Sequence, residues 1–373
     1  MPTGSLRARA IRVAALASGL AVAGAVAAQA VYDSGTQVLT VPGVQIDGQT
    51  WRDLRIRLDA DGRLTLLHLQ PPLDLATRTQ AAAATAGSAA NACTPVQPFY
   101  WEIGDATQRL GGGSVASATR SGRVDADTVM NIASASKWLY GAYVVERRGG
   151  TPTAEDVLYL NFRSGYTSFA PGGCERSDTV AACSARGSSG VQTAAHVGLF
   201  YYDGAHMQRH ASLPAPGMAL GALDSAALAV EVRRVLGADL AISYTSPQLA
   251  GGVRTTARDY ALFLRRLLGG RLKLSALLGA YPVCTNPATC VTARASPGAG
   301  EVDWLYALGH WVEAGPGGDG SFSSPGAFGF YPWIDAARSH YGVLARADGV
   351  GQGMESAACG ALIRRAWATG VVQ

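Results

Sequence analysis

Residues 128–146, TVMNIASASKWLYGAYVVE, contain the pair of side chains from which the fold and chemistry of this chain are predicted. Ser134 and Lys137 are three positions apart, so a helix that begins near Ser134 places both on one face, one turn apart. The chain has 31 lysine and arginine residues, but only Lys137 and Lys273 are lysines. Because arginine stays protonated whereas a buried lysine is able to lose its proton, the lysine at position 137 is informative.

This spacing suits nucleophilic catalysis. A serine hydroxyl is a weak nucleophile until a base removes its proton, and burial lowers the pKa of a lysine toward neutrality, where it acts as such a base. A serine at a helix start also keeps its backbone N–H free for an oxyanion. The alternative interpretation is that Ser134 only caps the helix and Lys137 lies at the surface, because S-x-x-K is a weak pattern on its own.

Three further stretches follow in an order that makes the pattern specific. They are DVLYLNFRSGYTSF at 156–169, LAGGVRTTARDYALFLRRLLGG at 249–270 and SSPGAFGFYPWID at 323–335. With residues 128–146, this set resembles the serine β-lactamase and penicillin-binding protein superfamily over about residues 96–370, and most closely its class C-like esterase and amidase branch. The resemblance implies that Ser134 is the attacking serine and that Lys137 assists it.

The second motif of this superfamily is Tyr-x-Asn, whose tyrosine passes protons to the leaving group. FYYDGAHM, residues 200–207, lies where the resemblance expects this motif, so Tyr202 is the candidate tyrosine. Gly204 occupies the asparagine position, which is a departure from the pattern. Tyr244 is the alternative, although its place just before Leu249 fits a later loop better. A packed tyrosine without a catalytic role remains the other interpretation for both.

The third motif of the superfamily is Lys-Thr-Gly, or His-x-Gly in esterase relatives, and here it reads Ser324-Pro325-Gly326 followed by Ala327. The resemblance implies that this strand binds substrate and that the N–H of Ala327 is the second oxyanion donor, opposite Ser134. Glycine at 326 lets the backbone approach the substrate closely. Ser324 replaces a cation that holds a substrate carboxylate, which argues against β-lactams and D-alanine peptides as substrates.

The N-terminus has the pattern of a secretory signal peptide, residues 1–30. Arg7, Arg9 and Arg12 precede an apolar run and an A-x-A site that ends at Ala30, whereas a permanent membrane anchor is the alternative. Removing these three arginines from a formal net charge of +4 leaves about +1. A nearly neutral protein has no strong electrostatic reason to bind nucleic acid or an acidic membrane.

The rest of the chain divides into three predicted parts. Short alternating runs predict a small all-β module at 31–75, and an Ala/Thr-rich stretch predicts a linker at 76–94, with an exposed helix as the competing interpretation. Residues 95–373 form the main α/β (α+β) domain. Because strand patterns lie at both of its ends and helical patterns between them, we expect a central antiparallel sheet built from both ends, flanked by helices, with an inserted, mainly helical region.

Six cysteines in an exported chain indicate disulfides. Cys174 and Cys183 bracket a short loop, as do Cys284 and Cys290, which leaves Cys93 to pair with Cys359. Free thiols and a metal site are the alternatives, although no C-x-x-C or Cys/His cluster supports a metal.

The sequence therefore predicts a periplasmic or secreted serine hydrolase that cleaves a small-molecule or short oligomeric ester or amide, without a cofactor. A β-lactamase or D,D-peptidase is one alternative, and a non-catalytic binding protein on the same fold is another. The histidines lack ligand spacing and are interpreted as core or surface residues, and a place in the pocket wall is the alternative for His206, which lies near Tyr202. Six aromatic residues are interpreted as core and pocket walls without distinction between the two roles, namely Trp138, Tyr140, Trp304, Trp311, Tyr331 and Trp333.

Overall fold

The computed structural model describes residues 30–46, 49–59, 61–298, 300–346 and 353–373. The predicted signal peptide lies outside the described residues, apart from Ala30. No helix within these ranges is both long and apolar enough to cross a membrane.

The N-terminal module is a four-stranded antiparallel sheet in chain order. Its strands are β1 (Val31–Asp33), β2 (Val38–Ile46), β3 (Gln49–Leu58) and β4 (Leu64–Gln70). A turn at Pro42-Gly43, which the dipeptide suggests, is wrong: both residues lie within β2, which pairs with β3 on either side of them.

The main domain is built on an eight-stranded antiparallel sheet that combines strands from both of its ends, as predicted. The N-terminal strands are β5 (Phe99–Gly104) and β6 (Arg109–Val115). The C-terminal strands are β11 (Val283–Cys284), β13 (Leu305–Ala307), β14 (His310–Val312), β15 (Phe322–Ser323), β16 (Tyr331–Ile334) and β17 (Tyr341–Ala345). The two ends meet where β17 pairs with β5, which sets Val343 opposite Glu102.

Two small sheets lie in the inserted region. Strands β7 (Met130–Asn131), β9 (Ser243–Tyr244) and β10 (Val253–Thr255) form one of them, with β10 in the centre. Strands β8 (Phe200–Tyr201) and β12 (Ala293–Ala295) form a parallel pair. Because β7 ends three residues before Ser134, its pairing with β10 helps to fix the segment that carries Ser134.

Helices flank the main sheet and fill the inserted region. They are α1 (Leu75–Ala86), α2 (Ser136–Arg147), α3 (Ala154–Leu160), α4 (Val180–Ser184), α5 (Ala205–Ser212), α6 (Ser225–Leu236), α7 (Ala257–Leu268) and α8 (Gly353–Thr369). Helix α7 is capped by Thr256, whose side chain accepts a hydrogen bond from the Asp259 N–H, and its C-cap is Gly269. The sequence offers Thr255 or Thr256 as the cap and two glycines as the end of this helix.

The stretch 76–94 is not a linker, because most of it forms α1 and packs against α8. Asp74 caps α1 by accepting a hydrogen bond from the Thr77 N–H over 2.7 Å. Alanine has the highest helix propensity of all residues, and its small side chain lets two helices approach closely. Ala82 and Ala86 are completely buried, so the alanine-rich composition reflects helix packing rather than flexibility.

The three predicted disulfides are confirmed. The structure joins Cys93 to Cys359, Cys174 to Cys183 and Cys284 to Cys290. The first joins the segment after α1 to α8 and closes 266 residues, whereas the third closes a loop of 6.

Candidate active site

Ser134 and Lys137 lie side by side at the start of α2. Ser134 is in a 3₁₀ turn, Ala133–Ala135, that leads directly into the helix, and Lys137 is one turn further on. The Lys137 Nζ is 2.8 Å from the Ser134 Oγ and also donates a hydrogen bond to the Ala250 carbonyl oxygen over 2.8 Å. The amine therefore has one contact with the hydroxyl and one with a fixed backbone acceptor.

Lys137 is buried, with 5% of its surface exposed. Burial lowers the pKa of its amine to about 7, while the nearby carboxylate of Asp203 opposes this shift. An amine with a pKa near 7 is neutral in a large fraction of molecules at physiological pH, so it is able to accept a proton from the adjacent hydroxyl.

The turn that presents Ser134 is held in an unusual backbone conformation. Ala133 has a φ of 44°, in the left-handed region that non-glycine residues rarely adopt. Its N–H donates to the Asn131 Oδ1 over 2.8 Å, and the N–H of Ile132 donates to the Val253 carbonyl oxygen over 3.0 Å. Such strain persists where the surroundings fix it, and it is frequent at functional sites.

The backbone N–H groups of Ser134 and Ala327 donate to no other protein atom in the described part of the chain. Both residues line one cavity. Gly326 directly precedes Ala327, and its N–H donates a 2.8 Å hydrogen bond to the Phe330 carbonyl oxygen. A Cβ at Gly326 would lie 2.2 Å from the Ile132 carbonyl oxygen, so only glycine permits this approach. Two free N–H groups on one cavity are suited to bind an oxyanion.

Tyr202 lies against both Lys137 and the cavity. The Lys137 Nζ is 4.9 Å from the centre of its ring, and the ring stacks on Trp311 with a centroid distance of 5.4 Å. Burial raises the pKa of Tyr202 to about 12, and hydrogen bonding to Ser134 and Trp311 opposes part of that rise. The phenol therefore stays protonated at neutral pH and is able to donate a proton.

Two cavities meet at Ser134. The first, here called the apolar cavity, has a volume of about 210 Å³ and contains Tyr202 and Ala327. Its remaining walls include Pro297, Val302, Trp304, Trp311, Pro325 and Met354. The second, here called the polar cavity, has a volume of about 270 Å³ and contains Lys137. Its remaining walls include Asn131, Phe169, Thr245, Gln248 and Phe328.

The fold is shared with solved structures, although the sequence matches no protein-family model and no curated protein significantly. EstCE1, a hydrolase with promiscuous acyltransferase activity, aligns over 79% of this chain and 98% of its own, with a TM-score of 0.51 and 13% identity. A protein from Bacteroides dorei assigned as a β-lactamase aligns over 68% of this chain and 86% of its own, with a TM-score of 0.50 and 18% identity. The chain has the β-lactamase fold. The fold predicted from the ordered motifs is thereby confirmed.

Ser324 departs from the third motif expected for the β-lactamase fold, and the structure corrects its predicted place in the site. It is 2% exposed and is not among the described residues that line either cavity. Its hydroxyl donates to the Ser134 carbonyl oxygen over 3.1 Å instead. Ser324 and Gly326 therefore support the backbone beside Ser134, while Ala327 and Pro325 face the cavity.

Gly204 departs from the second motif. A Cβ at this position would lie 3.3 Å from the Ala250 Cβ, so the space of the expected asparagine side chain is partly filled. The preceding residue, Asp203, accepts hydrogen bonds from the N–H groups of Phe169 and Ala205. Burial raises the pKa of its carboxyl, and the attraction of Lys137 opposes that rise.

Tyr244, the alternative catalytic tyrosine, is not among the described residues that line either cavity. It lies in β9, paired with Val253, and its burial and the proximity of Tyr143 raise the pKa of its phenol. Of the two candidates, the structure brings Tyr202 and not Tyr244 to the cavity beside Ser134.

His206 does not line either cavity and is a core residue, which is the interpretation that the sequence favours. It is completely buried between the Ser164 hydroxyl, 2.6 Å from its Nδ1, and the Tyr201 carbonyl oxygen, 3.0 Å from its Nε2. Burial lowers its pKa to about 3, so the ring stays neutral and serves the packing of α5. Within the described ranges, no group of three or more His, Cys, Asp or Glu side chains could hold a metal ion.

The sequence alone did not point to most of the cavity walls. Pro297 and Val302 come from a loop before β13, and Met354 comes from the start of α8. Outside the motif residues, Trp304 and Trp311 carried the signal, as two of the six aromatic residues that were assigned to core or pocket walls.

Proposed function

We propose that this protein is an exported serine hydrolase that cleaves an ester or amide through an acyl-enzyme on Ser134. The observation that carries the proposal is the buried Lys137 amine, 2.8 Å from the Ser134 hydroxyl, with a pKa lowered to about 7. A purely structural role does not explain a lysine at this buried position, because burying an unpaired charge is unfavourable.

The proposed reaction begins when the neutral amine of Lys137 takes the proton of Ser134 as the Oγ attacks the substrate carbonyl. The carbonyl oxygen gains the negative charge and is bound by the N–H groups of Ser134 and Ala327. When the bond to the leaving group breaks, Tyr202 passes a proton to the departing oxygen or nitrogen and regains one from Lys137, whose amine is then neutral again. Water attacks the acyl-enzyme as it gives a proton to this amine, and the proton returns to the Ser134 Oγ as it leaves.

An ester or amide without a carboxylate beside the reacting bond fits this site better than a β-lactam or a D-alanine peptide. In the superfamily that this chain resembles, a cation of the third motif binds such carboxylates. Ser324 occupies that position here, and its hydroxyl already donates to the Ser134 carbonyl oxygen. EstCE1, which shares the fold, is a hydrolase with promiscuous acyltransferase activity, and this is consistent with an acyl-enzyme in the present protein.

Export is supported by the three disulfides, which persist in oxidising compartments. The basic and apolar N-terminal residues are consistent with a signal peptide. A periplasmic or secreted location is therefore part of the proposal.

A fluorophosphonate probe tests the nucleophile directly. We expect wild type to be labelled and Ser134→Ala not to be. Ser136→Ala is the matched control, because the Ser136 hydroxyl accepts a hydrogen bond from the Val253 N–H and faces away from this chemistry. Lys137→Arg should fold but lose labelling, since the charge remains while the base is gone. Equal labelling of wild type and Ser134→Ala would refute the proposal.

Hydrolysis of short p-nitrophenyl esters separates the enzyme from a non-catalytic binding protein of the same fold. A binding protein should show no hydrolysis above the Ser134→Ala background. Stable acylation of Ser134 by penicillin would instead favour a β-lactamase or D,D-peptidase.

A further inference from the structure

In the tetrahedral intermediate, the former carbonyl carbon attached to the Ser134 Oγ carries the oxyanion and two other substituents, the chain of the acyl group and the leaving group. Ser134 lines both the apolar and the polar cavity. Two substituents on one carbon and two cavities at one Oγ imply that each substituent has its own cavity.

The two cavities differ in the proton-transfer groups that they contain. Tyr202 lines the apolar cavity, whereas Lys137 lines the polar cavity. In the proposed reaction, Tyr202 gives its proton to the leaving group, and a proton donor must lie within hydrogen-bond reach of the atom that receives the proton. The leaving group therefore belongs in the cavity that contains Tyr202.

The walls of that cavity determine which leaving groups it accepts. They are formed by Trp304, Trp311, Val302 and Met354, and no charged side chain of the described residues lines it. Trp304 and Trp311 pack edge to face with a centroid distance of 6.1 Å, and Trp311 also stacks on Tyr202. A charged leaving group would lose its hydration here without gaining a partner, whereas an apolar one gains from burial.

The polar cavity offers a different surface. Asn131, Thr245 and Gln248 bring amide and hydroxyl groups to its wall, alongside Phe169 and Phe328. These groups are able to form hydrogen bonds with a polar acyl group. The apolar cavity has fewer such groups on its walls.

We propose, on the basis of the function proposed above, that the substrate is an ester or amide with a compact, uncharged, apolar alcohol or amine as leaving group. This group occupies the apolar cavity, and the acyl group occupies the polar cavity. As the bond from the carbonyl carbon to the leaving oxygen or nitrogen breaks, that atom keeps the electron pair. It receives a proton through Tyr202, which balances the proton taken from Ser134.

Two ester series test this assignment on the full-length protein, with acid release measured at constant pH. The first series comprises ethyl, butyl and hexyl acetate, in which the alcohols have similar acidity and the acyl group is constant. The second comprises ethyl acetate, butyrate and hexanoate, in which the alcohol is constant. We expect kcat/KM to rise by up to about fourfold per buried methylene in the alcohol series, and to vary much less in the acid series. Acetylcholine, with a cationic alcohol, should be hydrolysed more slowly than butyl acetate.

Two variants locate the effect. Met354→Glu places a charge in the apolar cavity at the start of α8, where a helix N-terminus tolerates an acid, and it should abolish the rise in the alcohol series. Phe328→Ala alters the polar cavity and should leave that rise in place. A rise confined to the acid series, or equal or absent rises in both series, would overturn the assignment. If the fluorophosphonate labels Ser134 in these cases, this inference alone fails. If Ser134 is not labelled, the proposed function itself fails.

Discussion

The hydroxyl of Ser324 donates a hydrogen bond to the backbone carbonyl oxygen of Ser134 over 3.1 Å. The residue at the position of the third-motif cation is thus tied to the candidate nucleophile through the backbone rather than presented to a substrate. This bond helps to fix the Ser134 carbonyl. The residue before Ser134 in the same turn, Ala133, has a strained φ. The third motif therefore helps, through Ser324, to orient the N–H and Oγ of Ser134.

We predict that Ser324→Ala lowers kcat by about two- to tenfold and changes KM little, because one neutral hydrogen bond contributes about 0.5–1.5 kcal/mol. The rate of fluorophosphonate labelling should fall in parallel. Ser323→Ala is the matched control, since the Ser323 hydroxyl is buried in β15 without a hydrogen-bond partner among the described residues. A Ser324→Ala variant with the wild-type labelling rate would show that this bond does not position Ser134.

The pH dependence of kcat/KM should report the titration of Lys137. The base is active when it is neutral, and its pKa is lowered to about 7, so activity should rise as pH increases through about 7. The negative charge of Asp203 raises the pKa of Lys137. Asp203→Asn removes that charge and should move the rise in activity to lower pH.

The asparagine oxygen in this variant is still able to accept the hydrogen bonds from Phe169 and Ala205. Asp61→Asn, in the N-terminal module, controls for the loss of an acidic residue at a remote place. An Asp203→Asn profile that is unmoved or shifted to higher pH would contradict the electrostatic assignment.

The sequence allowed the placement of Ser134 and Lys137 because helical spacing is a local property. Their i, i+3 separation determines that they share a helix face, whichever tertiary contacts follow. The choice of Tyr202 over Tyr244 depended instead on the order of motifs along the chain, and the structure brings Tyr202 to the cavity. The short cysteine loops were predictable for the same local reason, and they left one long-range pair.

Other features depend on tertiary contacts that no local pattern encodes. Whether the alanine-rich stretch at 76–94 is an extended linker or a helix depends on α8, against which α1 packs almost 270 residues later. The direction of the Ser324 hydroxyl depends on the position of the Ser134 carbonyl, and the apolar cavity combines a loop before β13 with the start of α8. Sequence reasoning therefore located the candidate reactive groups but not most of the walls of the apolar cavity.

The disulfide between Cys93 and Cys359 should contribute more to stability than the one between Cys284 and Cys290. It closes 266 residues rather than 6, so its removal restores more chain entropy to the unfolded state. We predict that Cys93→Ala/Cys359→Ala lowers the free energy of unfolding by about 5 kcal/mol and Cys284→Ala/Cys290→Ala by about 2 kcal/mol. Urea denaturation of both double variants under non-reducing conditions measures the difference. Equal losses would show that loop length does not determine these contributions.

Lys137 should lower the stability of the fold while enabling its chemistry. Its pKa is about 7 in the folded protein and about 10.4 in an unfolded chain, so between these values only the unfolded chain holds the proton. Between these pH values folding requires proton release, and its cost falls as pH rises toward 10.4. Below pH 7 the amine stays charged in the folded protein, and the cost of burying it is largest and does not change with pH. Lys137→Met removes this requirement, although it leaves the Ala250 carbonyl oxygen without its hydrogen bond.

We therefore predict that Lys137→Met is inactive yet more stable than wild type at pH 7, by about 1–3 kcal/mol. Between pH 7 and 9 this advantage should shrink by about 2–3 kcal/mol, because wild type gains stability over that range. Urea denaturation at both pH values provides the measurement. Lys273→Met is the matched control, since Lys273 is the other lysine of the chain and is exposed, so its replacement should have a small effect at either pH. A Lys137→Met variant less stable than wild type at pH 7 would mean that the buried amine stabilises the fold, and its role as a tuned base would then lose its main physical support.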